Sequence, residues 1–259
     1  AGLVRVRALG PSDLVAQASE VLRHQRVRAI KIGALGTAAN VRAIAGLLRL
    51  HRDVPVVLDT PMLPTRGRAR LLAVDALSAL GQALLPRATL VTANVAEAQA
   101  LLGEDVRTVS EAHDAARALR RTGARAVLVK GGHMEGPSAI DVLAIGDEVI
   151  ELRARRLVLP PLHGTGCTFA SLIAGSLAGR NDALLDDEAI VAAIRWAKRV
   201  HHAVLARSVD VGDGGRVLVF SQPQPAVTAR WKARDAVSAR GERGHAGRPG
   251  TSHPRRPPR

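Results

Sequence analysis

Residues 89–103, TLVTANVAEAQALLG, place a short apolar run directly before a segment with helical spacing. Thr89–Thr92 reads as a strand and Val95–Leu102 as a helix. Between them, Asn94 and Glu97 have the spacing of a capping box, in which Asn caps the helix and Glu reaches back to it. A strand that runs straight into a helix is half of a βαβ unit, and the same alternation extends in both directions. Further strand candidates are Arg28–Ile32, Pro55–Asp59, Ala126–Lys130, Asp141–Ile145 and Val149–Leu152, the last two joined by a Gly146-Asp147 turn as a hairpin. Helix candidates are Ser12–His24, Thr37–His51, Arg70–Leu84, Ser110–Arg121, Thr168–Leu177 and Asp187–Ala206, with Ser12 and Thr37 as N-caps and Pro86 as a stop. The pattern predicts an α/β fold with a mostly parallel sheet.

Composition narrows the function classes. In 259 residues, 47% are apolar and only 2% aromatic, so the core is built from Ala, Val, Leu and Ile, and stacked aromatic platforms for bases are not expected. The single cysteine excludes an intramolecular disulfide and any multi-cysteine zinc site. No apolar run is long enough for a membrane span and no secretory leader is visible, so the expectation is a soluble cytoplasmic protein. The net charge is +14, and residues 221–259 contribute nine Lys or Arg against Asp235 and Glu242, which is half of the excess. That segment is rich in Pro, Gly and Arg and reads as a disordered tail with, at most, weak contacts to anionic partners. Basic residues elsewhere are scattered in sequence, and no specific nucleic-acid partner is expected.

In an open α/β sheet, ligands bind beyond the carboxyl ends of the strands. Those ends carry Lys31-Ile32-Gly33, Asp59-Thr60-Pro61-Met62, Thr92-Ala93-Asn94 with Glu97, and Lys130-Gly131-Gly132-His133. Leu162-His163-Gly164-Thr165-Gly166-Cys167 then leads into an apolar helix. Gly164 and Gly166 allow consecutive amides to converge at a helix N-terminus, which suits a phosphate or a developing oxyanion. The same residues also read as an ordinary tight turn. Cys167 at the helix start is a candidate base or nucleophile, with the dipole favouring its thiolate, or simply a small apolar residue. Lys is rare here: only four of 37 basic residues are Lys (31, 130, 198 and 232), and two of them end strands just before Gly. A compact ammonium on a flexible stem can follow a phosphoryl group in transit. Asp59 and Glu97 could hold Mg²⁺ beside a phosphate, although Glu97 reads equally well as part of the cap. His201 and His202 read as core or surface residues rather than metal ligands.

Together these residues resemble the hydroxymethylpyrimidine/phosphomethylpyrimidine kinases of thiamine biosynthesis, within the ribokinase-like superfamily. The segments that carry the resemblance are KIG (31–33), VVLDTPM (56–62), LLPRATLVTANVAEAQALLG (84–103), GARAVLVKGGHMEG (123–136) and HGTGCTFAS (163–171). The resemblance implies a three-layer α/β/α fold and phosphorylation by ATP with Mg²⁺, first of a pyrimidine hydroxymethyl group and then of its monophosphate. It implies that Cys167, where most relatives carry Asp, is the base, with Lys130 neutralising the ATP phosphates. Gly164, Thr165 and Gly166 would form the anion hole. Thr92, Asn94, Lys130 and His163 would contact ATP, Asp59 and Glu97 the metal, and Ala34, Met62 and Cys167 the pyrimidine. A cytoplasmic homodimer is also implied.

The sequence departs from the family pattern in three places. The family's first strand and its Asp-bearing glycine-rich loop do not precede Ala1, so residues 1–220 read as an N-terminally truncated kinase domain with an open sheet edge. Ala34 stands where relatives carry Met, and Thr65-Arg66-Gly67 and Ala93 replace Lys-Ser-Gly and Pro. Alternatives are a kinase of pyridoxal or another hydroxymethyl compound, and a catalytically impaired nucleotide-binding relative.

Overall fold

The structure, a computed structural model, describes residues 5–62, 71–132, 134–160, 162–180, 185–212 and 215–220, and statements about structure concern these. Strands β1 (Ile30–Ile32), β2 (Val56–Asp59), β3 (Leu90–Asn94) and β4 (Ala126–Lys130) lie side by side in chain order, all parallel. The hairpin β5 (Ser138–Ile145) and β6 (Glu148–Arg155) extends the sheet antiparallel from β4. Register sets Asp59 opposite Thr92 and Asn94 opposite Lys130, so the polar strand ends meet at one rim.

The helices are α1 (Pro11–His24), α2 (Ala38–Leu48), α3 (Ala76–Ala79), α4 (Val95–Leu102), α5 (Val109–Arg121), α6 (Thr165–Ala178) and α7 (Asp187–Ala206). Successive strand residues face opposite sides of a sheet, and here they feed two cores. Val56, Leu58, Val91, Val127 and Val129 join one core with α2 and α5, while Val57, Leu90, Leu128 and Leu143 join the other with Ile173 of α6 and Ile190 and Ile194 of α7. The result is the expected three-layer α/β/α arrangement. β1 is an edge strand among the described residues. The N-terminal segment is tied down by the buried Asn40 amide, which donates to the carbonyls of Leu9 and Leu35 at 3.1 and 2.8 Å.

Several boundaries differ from the sequence reading, for local reasons. α1 is capped at Gly10 with Pro11 in its first turn, not at Ser12. In place of one helix over Arg70–Leu84, the short α3 passes into a π-helical turn at Leu80–Leu84 and a 3₁₀ turn at Leu85–Arg87. Pro86 has no N–H for the carbonyl four residues back, so the regular ladder cannot continue. The hairpin strands are longer than expected because pairing runs from Ser138 opposite Arg155 to the turn at Gly146. A second small sheet, β7 (Val209–Gly212) with β8 (Gly215–Val217), was not anticipated. His133, Thr65-Arg66-Gly67 and the 221–259 tail lie outside the described residues.

Candidate active site

α6 begins at Thr165, three residues earlier than the sequence suggests, so the Gly-Thr-Gly-Cys motif forms its first turn. Gly164 makes this start possible, with φ of +75° in the left-handed region where other residues are strained. The first bond of the helix is donated by Thr168 to the Gly164 carbonyl at 2.8 Å. The amides from Gly164 to Cys167 therefore have no partner within the helix, and the exposed rim leaves them to an anion.

Lys130 stands over this turn: a Cβ on Gly166 would come within 3.2 Å of its Nζ. The ammonium donates to Asp59 Oδ1 at 3.0 Å and lies 3.9 Å from Glu97 Oε2, with its side chain 13% exposed. Asp59 is buried, receives Thr92 Oγ1 at 3.1 Å, and also faces Lys31 at 3.8 Å. Burial opposes its ionisation, but the two lysines outweigh burial and hold the carboxyl below its usual range. Glu97 goes the other way: burial raises it to about 7, despite Lys130 and the Asn94 backbone. One site thus holds two carboxylates of opposite tendency.

The structure brings most of the sequence-predicted residues together, with some changes of detail. Asn94 and Glu97 form the complete capping box, at 2.7 and 2.9 Å, so the capping reading and the site reading apply to the same pair. Thr92 is fully buried with its hydroxyl given to Asp59, which makes it a strut for that carboxylate rather than a direct phosphate contact. The expectation that the helix start favours the Cys167 thiolate is corrected: partial burial and the Asp59 carboxylate push the thiol above its ordinary value. His163 and Ala34 are exposed, one just before α6 and the other just past β1. Met62 lines a cleft with Asn94 and Glu97, walled by Leu72, Leu77 and Ala100.

Three positioning features were not read from the sequence. Buried Asp141 of β5 accepts from the Gly131 amide at 3.0 Å and from Lys198 of α7 at 2.6 Å, which fixes the backbone immediately after Lys130. No side chain fits at 131, since a Cβ would lie 2.0 Å from the Ile140 carbonyl oxygen. The Arg156 guanidinium forks to the carbonyls of Gly132, Gly136 and Ser138 at 2.6, 2.6 and 2.9 Å and clamps the loop that follows. On the other side, His201 stacks on Phe169 of α6 with ring centroids 5.2 Å apart, and burial lowers its pKa to about 4.

Chemically, the rim offers two ammonium groups and a turn of open amides to a phosphate chain, which fits a nucleoside triphosphate. No group of three or more His, Cys, Asp or Glu with metal-ligand geometry occurs among the described residues. The two carboxylates around Lys130 instead fit the mode in which Mg²⁺ takes one or two carboxylates and completes its shell with phosphate oxygens and water.

A family model described as phosphomethylpyrimidine kinase matches residues 1–218. The chain is 36% identical over 217 residues to the hydroxymethylpyrimidine/phosphomethylpyrimidine kinase of Rhizobium meliloti (strain 1021), covering 82% of this chain and 78% of that one. It is 37% identical over 213 residues to a thiamine biosynthesis bifunctional protein of Geobacter sulfurreducens, of which it covers 42%. Among solved structures, an ADP complex of Bacillus subtilis pyridoxal kinase superposes with a TM-score of 0.72 at 26% identity, over 83% of this chain and 77% of that one. Phosphomethylpyrimidine kinase from Clostridium difficile 630 superposes at 0.59 and 25%, over 75% of this chain and 78% of that one.

Proposed function

Because the chain belongs to the phosphomethylpyrimidine kinase family, a family of ATP-dependent phosphotransferases, we propose that it phosphorylates 4-amino-5-hydroxymethyl-2-methylpyrimidine and then the resulting monophosphate. The observation that supports this most directly is Lys130, held by Asp59 above the open amides of α6. In each step the substrate oxygen forms a bond to the γ-phosphorus of ATP, the bond to the bridging β,γ-oxygen breaks, and ADP leaves. The substrate is deprotonated at Cys167, while Lys130 and the amides of Gly164, Thr165, Gly166 and Cys167 hold the phosphoryl oxygens. Asn94 and Glu97 position the phosphate chain, with His163 at the outer rim. Mg²⁺, when bound by Asp59 and Glu97, would neutralise charge on the phosphates. Met62 and Ala34 border the pyrimidine.

The reading includes a cytoplasmic homodimer, a kinase domain over 1–220 and a separate tail over 221–259. A second reading, pyridoxal as substrate, is favoured by the closer superposition on the pyridoxal kinase, at a TM-score of 0.72 against 0.59. Incubating the chain with Mg-ATP and each acceptor, and identifying products by mass spectrometry, separates the two. Pyrimidine mono- and diphosphate are expected, with both lost in Lys130→Ala and Cys167→Ala. Pyridoxal phosphate as the sole product would replace the first reading with the second. No product from folded protein that binds ATP would overturn both.

A further inference from the structure

Away from the rim, β6 and α7 enclose an open groove lined by five Lys or Arg side chains. Arg153 and Arg155 come from the strand, and Arg195, Lys198, Arg199 and His202 from the helix. Among the described residues Glu151 is the only carboxylate lining it, and it is already engaged by His113 and Arg153. Arg155, Arg195 and Arg199 are exposed, and among the described residues no carboxylate pairs with any of them. Three guanidinium forks facing one groove without counter-charge are unfavourable unless an anion or solvent screens them.

We propose that this groove is a second anion site, specific for a short chain of linked phosphates, and that Lys198 couples it to the reaction site. Guanidinium forks match phosphate oxygens in pairs, so phosphate is the chemistry the walls recognise. The extent of the groove favours a small ligand over a polymer: the strand wall from Glu151 to Arg155 spans about 13 Å and the helix wall from Arg195 to His202 about 10 Å. Among the described residues no Phe, Tyr or Trp lines it, so these walls offer no platform for stacked bases. Lys198 belongs to the groove and also, at 2.6 Å, to Asp141, which holds the Gly131 amide next to Lys130. An oligophosphate in the groove competes with Asp141 for the Lys198 ammonium. Releasing Asp141 loosens the backbone that aims Lys130, so occupancy lowers phosphoryl transfer. This coupling, unlike the binding itself, rests on the kinase reading.

Trp196, next to Arg195 on α7 and 40% exposed, is a built-in reporter. The test titrates inorganic tripolyphosphate into the 259-residue chain carrying Trp231→Phe, at fixed free Mg²⁺ and ionic strength, and follows Trp196 fluorescence. Saturable binding is expected that survives Lys130→Ala and saturating non-hydrolysable ATP, and that weakens at least about tenfold when Arg155, Arg195 and Arg199 are replaced together by Ser. Unchanged affinity in that triple variant would place the anion elsewhere and overturn the site, as would loss of binding in Lys130→Ala. Tighter binding of a single-stranded oligonucleotide than of tripolyphosphate would overturn the ligand class. In activity assays, tripolyphosphate is expected to inhibit the wild type and not the triple variant; equal inhibition of both would overturn the coupling. Because binding is read without turnover, it is decided even if the chain phosphorylates neither acceptor.

Discussion

At the scale of single residues, Cys167 combines a base's position with a thiol's reluctance to ionise. Partial burial and the negative charge of Asp59 both disfavour the thiolate, while Lys31 and Lys130 only partly offset them. A base must be deprotonated to act, so a raised pKa moves its working range upward. The rate of phosphorylation is therefore expected to climb through the alkaline range in the wild type. In Cys167→Asp the climb should move to acidic pH, giving a flat profile near neutrality; a profile unaffected by the substitution would remove Cys167 from proton transfer. The motif around this residue was visible in the sequence, as was the rarity of Lys at 31 and 130. The sign of the thiol's shift was not, because it depends on Asp59, 108 positions earlier in the chain, arriving beside it in space.

At the scale of elements, α4 shows how one pair can serve both folding and function. The Asn94–Glu97 capping box ends β3 and starts α4, and Lys130 from β4 approaches the same carboxylate. Glu97 is raised from 4.5 to about 7 in the folded chain. An acid raised by folding binds its proton more tightly in the native state, so stability falls as pH climbs from its unfolded value through its folded one. Glu97→Gln keeps the cap, since Gln serves at that position as Glu does, and removes the buried charge. The variant should gain stability over the wild type as pH rises from 5 to 8, by up to a few kcal/mol at about 1.4 kcal/mol per unit. Chemical denaturation at the two pH values measures it; a gap independent of pH would show that the carboxyl ionises freely in the fold. The cap was legible because it is local, three residues apart. The Lys198–Asp141–Gly131 brace was not, because its members come from α7, β5 and the end of β4.

At the scale of the whole molecule, two cores grip the two faces of one sheet, and the reacting groups gather where the parallel strands end. A ligand that binds only the folded chain must stabilise it. A non-hydrolysable ATP analogue at 100 times its Kd should add about 2.7 kcal/mol, read as a rise in Tm, and Lys130→Ala should abolish most of the rise at the same concentration. An undiminished rise would place the nucleotide away from Lys130. The alternation of apolar runs and helical segments was sufficient to specify an α/β chain, because periodicities of 2 and 3.6 are written residue by residue. It also marked the strand ends as the place for chemistry, and the family motifs stand there. What the amino-acid order could not display is which distant residues share a space. The charges of 153–155 and 195–202 look scattered along the chain, yet β6 and α7 set them face to face in one cationic groove. Asp59, Thr92 and Lys130 become one cluster only through strand register. Local patterns follow from backbone geometry within a turn or a strand, whereas a site's electrostatics depend on burial and on neighbours that only the packed sheet and helices bring together.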